Sequence, residues 1–187
     1  MSYLPKAQSV DKKGALDGFV PPMAFKGQVL DGGYTRLELS VPPDRLSAVH
    51  KHLADQLSFP CKIRYLKLTD RLKGQLAKPE SYAAVEISKV RLLQVLSELS
   101  PLIHHDGRHQ FWIVGLQGEQ LILDELGMIY IYPDDLLFRD ILTDLGFIET
   151  NHENMSARDY VRVNFLAQGD QQEVVLLQSL GFVRWEG

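Results

Sequence analysis

Cysteine is almost absent. Cys61 is the single one in 187 residues, so no internal disulfide framework can form and the fold must rest on its apolar core. Its apolar, β-rich surroundings read as those of a small core residue, not a reactive thiol. Long apolar runs are also missing. Nothing approaches the roughly 20 consecutive apolar residues of a spanning helix, and residues 1–18 lack the apolar stretch of a secretory signal. The expectation is a soluble, cytoplasmic protein with no membrane partner.

Catalytic signatures are scarce as well. There is no phosphate-cradling glycine loop, no nucleophile elbow, no Cys–His motif and no CxxC. Gly32-Gly33 stands before a strand, not between a strand and a helix, so it is no dinucleotide fingerprint. No cofactor is expected.

What is present is an ordinary globular composition, 45% apolar, with a mild net charge of −4. That total hides an asymmetry. Residues 1–80 carry 13 Lys/Arg against 8 Asp/Glu, and residues 81–187 carry 7 against 16.

Residues 1–24 read as a mobile or loosely docked arm, broken by Lys12-Lys13-Gly14 and Pro21-Pro22. Period-two alternation of Leu37, Leu39 and Val41 marks a strand. Asp44 is placed to cap a helix carrying Leu46, Val49, Leu53 and Leu57. Residues 61–68 return as a strand, and 70–81 read as a loop and a subdomain boundary. A helix capped by Ser88 follows, ended by Ser100-Pro101. Residues 109–132 hold three strands joined by short turns, an antiparallel meander. Asp134-Asp135 open a helix closed by Gly146. A strand at 160–166 has Val161, Val163 and Phe165 on one face. Asp170 with Glu173 forms a capping-box pattern for a last helix, ended by Gly181.

The predicted fold is therefore α+β. A mainly antiparallel sheet, or two related sheets, carries about four helices packed mostly on one face. The predicted organisation is an arm at 1–24, a strand–helix–strand unit at 25–80, and a meander with helix–strand returns at 81–187. The two larger units can also form one compact domain. The tails Leu145-Gly146-Phe147 and Leu180-Gly181-Phe182 repeat each other, through either duplication or shared capping chemistry.

Four candidate features emerge. His104, His105, Asp106 and His109 concentrate metal-ligating and acid–base groups. Their spacing lacks the i, i+4 pairing of helical zinc motifs, and a polar loop leading into a strand is the alternative. A second feature is acidic. Asp124 and Glu125 with Asp134 and Asp135 flank one strand, as acid–base groups or as turn and cap residues. Asp134, Asp135, Asp140 and Asp144 form the candidate protein-binding face. Third, Lys62, Arg64, Lys67, Arg71 and Lys73 form a basic stretch suited to phosphates, although Tyr65 is its only interleaved aromatic. Fourth, adjacent rings such as Phe111-Trp112 must face opposite sides of a strand, so one ring can meet a partner.

The hairpin Asp124-Glu125-x-Gly127-x-Ile129-Tyr130, followed by a helix ending in Leu-Gly-Phe, resembles small bacterial proteins, including some immunity proteins. The resemblance carries no residue roles. The leading expectation is a non-enzymatic protein-binding or regulatory module whose acidic half meets a basic partner. A metal-dependent or acid–base enzyme at 104–109 and a nucleic-acid binder at 62–78 are the alternatives.

Overall fold

The alternation at Leu37 and Leu39 is one column of a much wider pattern. In the computed structural model, which describes residues 4–162 and 165–185, these leucines lie on β3 (Thr35–Ser40). The other strands are β1 (Gln8–Ser9), β2 (Ala24–Val29), β4 (Cys61–Asp70), β5 (Gly74–Ile87), β6 (His109–Val114), β7 (Gln120–Leu123), β8 (Ile129–Tyr132), β9 (Ile148–Glu149), β10 (Tyr160–Val161) and β11 (Val183–Arg184). The helices are α1 (Pro43–Asp55), α2 (Lys89–Glu98), α3 (Ser100–His105), α4 (Leu136–Asp144) and α5 (Ala167–Ser179).

Nine strands form one sheet in the order β11-β5-β4-β6-β7-β8-β3-β2-β9, and β1 pairs with β10 in a small second sheet. The α+β class holds. The sheet is mixed, because β9 runs parallel to β2 while the described neighbours elsewhere are antiparallel. Register lines the core residues up in rows. Leu39, Ile129, Leu123, Phe111 and Tyr65 stand side by side across five strands, as do Leu37, Ile131, Leu121, Ile113 and Ile63. All five helices add buried side chains to this cluster, among them Leu53, Leu96, Leu102, Phe138 and Leu176.

Five helices stand where four were expected. Pro101, read from sequence as a stop, sits in the first turn of α3, where its missing N–H costs nothing. The boundary expected at 80–81 falls inside β5, and residues 70–81 are not a loop. Only a tight turn at 71–73 separates β4 from β5. Pairing of β3 with β8 and of β4 with β6 joins residues 25–80 to the meander in one sheet.

The arm is tied down. Lys6 and Ala7 are buried, and Gln8–Ser9 pairs with Tyr160–Val161. The cap assignments divide. Ser88 and Asp135 accept hydrogen bonds from the amides of Arg91 and Phe138. Asp44 lies in the first turn of α1, behind Pro42 at the cap. α5 starts at Ala167, so Asp170 and Glu173 serve other partners. Val163, assigned above to a strand face, lies outside the described residues.

The repeated Leu-Gly-Phe tails close α4 and α5 in the same way. Gly146 and Gly181 have φ of 86° and 63°. The Phe147 amide bonds the Leu142 carbonyl, and the Phe182 amide bonds that of Leu177. This is the glycine C-cap bonding pattern. Each cap feeds an edge strand, β9 at one end of the sheet and β11 at the other.

Candidate functional site

The histidine loop is pulled apart by its surroundings. His104 lies on α3 and points into the core, where its Nε2 is 3.0 Å from Nδ1 of His50 on α1. Its Nδ1 is 3.0 Å from Oγ of Ser100, whose hydroxyl donates to Ser47 at 3.1 Å. A hydrogen-bonded chain thus runs from Ser47 through Ser100 and His104 to His50. His105 turns the other way, with Nδ1 2.8 Å from the Leu4 carbonyl of the arm. His109, on the core face of β6, stacks on Tyr65 with ring centroids 4.7 Å apart.

Asp106 binds Arg108. Its oxygens accept from the Arg108 amide at 3.0 Å, from Nε and NH2 at 2.9 Å each, and from the Leu166 amide at 2.8 Å. Both side chains are essentially inaccessible. The Arg108 guanidinium continues to Asp170 and to the Leu166 carbonyl. The four residues of the loop therefore point to four different partners. Among the described residues no group of three or more His, Cys, Asp or Glu is placed to hold a metal ion.

Burial sets the protonation of this interior. His50 is pushed down to about 3 by desolvation, with help from the Lys6 charge. Desolvation holds His104 and His109 well below the ordinary value too. All three rings are neutral near pH 7. Lys6, also buried, donates to the carbonyls of Ile103 and His109 at 3.2 and 3.1 Å. Desolvation lowers it to about 8, against the pull of Asp124, Asp106 and Glu125. Asp124 is raised to about 7 by burial and by Glu125. Its carboxylate accepts from the Leu126 and Met128 amides, which makes it the turn residue of the β7–β8 hairpin.

The acidic face divides in two. Asp134 forms a two-pronged pair with Arg139, at 2.6 and 2.7 Å, and Arg139 also reaches Glu149. This pair lies flat on Gly27, where any Cβ would come within 2.6 Å of it. Asp135 caps α4. Asp140 and Asp144 are exposed, and their carboxylates make no hydrogen bond or ion pair among the described residues. On the same helix stand two large exposed apolar groups, Leu136 at 77% and Leu137 at 56%. A cleft of about 450 Å³ opens next to this helix, lined in part by Leu57, Pro133, Leu137, Phe138, Glu119 and Asp135. Its wall is stitched together, because Glu119 accepts from the Ser58 amide and the Ser58 hydroxyl accepts from the Gln117 amide.

The basic stretch is likewise divided. Lys67 is held by Glu173 at 2.7 Å and Asp70 at 3.1 Å, and Arg71 by Asp170 at 2.8 Å. Lys73 is exposed in the β4–β5 turn. Lys62 and Arg64 lie on the sheet face away from the core. There Arg64 sits 5.3 Å from the ring of Trp112 and 4.7 Å from that of Trp185. Strand parity places Arg64 and Trp112 on that face, and the register sets them side by side. Nothing in the sequence points to Trp185 as the third member, nor to the buried bond that the Tyr65 hydroxyl donates to Glu173.

No known protein family, curated protein or solved structure matches the chain.

Proposed function

We propose that the protein is a binding module for another protein, and that α4 with the adjoining cleft receives a basic segment bearing apolar side chains. One observation carries this reading: Leu136 and Leu137 are exposed together on the helix that bears Asp140 and Asp144 and is capped by Asp135. Apolar groups of this size that cluster at a surface are the common mark of an interface. The carboxylates around them favour a cationic rim on the partner. The stitched 58/117–119 wall keeps the cleft in shape before binding, which lowers the entropic cost of association.

The Asp134–Arg139 ion pair supports the site from below. Asp134 orients Arg139 over Gly27, and Arg139 draws in Glu149 at the edge strand. Its charge is spent within the protein, so the recognition charges are Asp135, Asp140 and Asp144.

Three labelled peptides of equal length test the reading by fluorescence anisotropy: one amphipathic Lys/Leu, one amphipathic Glu/Leu and one Lys/Ser. Preferential binding of the Lys/Leu peptide, weakened tenfold or more by Leu137→Ser with Asp140→Lys, is the expected result. Equal binding of all three, or affinity unchanged by the double substitution, would overturn it.

A further inference from the structure

The face of the sheet turned away from the core carries a second feature. Across β5, β4 and β6, the register sets Ala83, Arg64 and Trp112 in one row, with Val183 of β11 beyond Ala83. Trp185, just past β11, closes over Arg64 from the far side. The guanidinium is therefore flanked by two indoles at 5.3 and 4.7 Å, within the range of cation–π attraction.

The stack is built before any ligand arrives. Arg64 donates from Nε to the Ser81 hydroxyl at 2.9 Å. The backbone amide of Trp185 bonds the Ser81 carbonyl at 2.8 Å. The Trp112 indole donates to Gln110 at 3.0 Å, and Gln110 donates to Glu125 at 2.7 Å. Arg64 thus spends one donor on orientation. Its two terminal amino groups make no hydrogen bond among the described residues. A fork of this kind, held by stacking, suits the oxygens of a phosphate.

A cleft opens on each side of Arg64. One, of about 430 Å³, is walled by Ala83, Val85, Trp112 and Val114, with Lys62 at its rim. The other, of about 360 Å³, is bordered by Lys78, Arg184, Glu80 and Trp185. Four cations, Lys62, Arg64, Lys78 and Arg184, face one lining carboxylate, Glu80. The first cleft is lined mainly by apolar groups, as a ring requires, and the second offers Lys78 for a further phosphate, with Arg184 3.8 Å from Glu80.

We infer that the Trp112–Arg64–Trp185 stack is a nucleotide site, binding a phosphate on Arg64 with a base against the neighbouring indole, either as a free nucleotide or within a single strand. An acidic peptide would satisfy the cations but brings no flat ring to the apolar cleft. A duplex would satisfy the cations but hides its base faces. The inference is independent of the α4 surface, which involves none of these residues.

The experiment uses the protein's own fluorescence, because Trp112 and Trp185 are its two tryptophans. Adenosine monophosphate, a 15-residue oligothymidine, the matching duplex, inorganic phosphate and poly-glutamate are titrated separately at low salt. Saturable quenching by the nucleotide or the single strand is expected. Arg64→Met should weaken it at least tenfold, Trp185→Leu should weaken it comparably, and added salt should weaken the strand more than the nucleotide. Quenching by oligothymidine without the monophosphate assigns the site to single strands, and quenching by both assigns it to nucleotides generally. Trp185 is 50% exposed near the chain end, so its replacement keeps the test valid if Arg64→Met fails to fold. No saturable quenching by either ligand would overturn the inference. So would equal affinity for poly-glutamate or duplex, or affinity unchanged in Trp185→Leu.

Discussion

Nδ1 of His50 and Nε2 of His104 share one hydrogen bond of 3.0 Å in a part of the core that water does not reach. One ring must donate and the other accept, so the two tautomers are linked. When His104 donates from Nδ1 to Ser100, its Nε2 accepts from His50. When Ser100 turns its one proton from Ser47 to His104, both histidines reverse. In either arrangement burial holds both rings neutral.

Acid should therefore unfold the protein early. Below the ordinary value of 6.5 an unfolded chain protonates these histidines, while the folded chain holds His50 neutral down to about 3. The folded-state values are depressed, so this stability is complete above 6.5 and drains away as the pH falls below it. Each buried histidine adds a slope of about 1.4 kcal/mol per pH unit. Melting temperatures measured from pH 7.5 to 4 should drop steeply below 6.5. A profile flat to pH 4.5 would contradict the neutral interior.

Breaking the Asp106–Arg108 pair should be costly. Asp106→Ala takes two hydrogen bonds from a guanidinium that is 1% exposed and leaves it Asp170 and the Leu166 carbonyl, at a cost of about 3 kcal/mol. Asp170→Ala removes a partner whose side chain is 39% exposed, so it should cost about 1 kcal/mol or less. Denaturant titrations of the two variants give the comparison, and equal losses would show that Asp106 is not the principal partner.

The arm should be released by a single methyl group. Gly107 lies so close to the chain that an added Cβ would come within 2.5 Å of the Lys6 carbonyl. Gly107→Ala should displace residues 4–9, costing about 1–3 kcal/mol and exposing the buried Lys6 to trypsin. Unchanged cleavage kinetics would show that the arm docks without this contact.

Cys61 should behave as an unfolding probe. Its side chain is fully inaccessible, and burial raises the thiol to about 11. Reaction with a thiol reagent at pH 8 should be slow and should level off, as the reagent concentration is raised, at the rate of opening. Rapid labelling of the native protein would place the residue at the surface.

Substitutions on the α4 surface should leave the fold alone. Leu137→Ser and Asp140→Lys alter groups that face outward, so each should shift stability by no more than about 0.5 kcal/mol. Thermal melts read this directly. A large loss would make the exposed leucines structural and remove them as an interface.

The elements legible in the sequence were those whose signals are local. Period-two alternation marked β3 and the meander, helical spacing marked α1, α2 and α4, and glycine marked the ends of α4 and α5. The errors were local as well. Pro101 both ends one helix and begins the next, and only the chain path distinguishes the roles. The long β4–β5 hairpin was missed because its outer half is polar and carries Gly74 and Pro79, residues that usually interrupt strands.

Sites were another matter. Proximity in sequence suggested a centre at His104, His105, Asp106 and His109, yet each side chain leaves in its own direction along a helix end and a strand start. Proximity in space brought Arg64, Trp112 and Trp185 together, and Lys6 with Asp124. The α+β class, the two Leu-Gly-Phe caps and the buried thiol followed from the sequence, since backbone preference and apolar spacing act over a few residues. Which carboxylates are spent on internal pairs and which stay exposed was decided by the tertiary structure alone, because charge pairing depends on register between strands far apart in the chain.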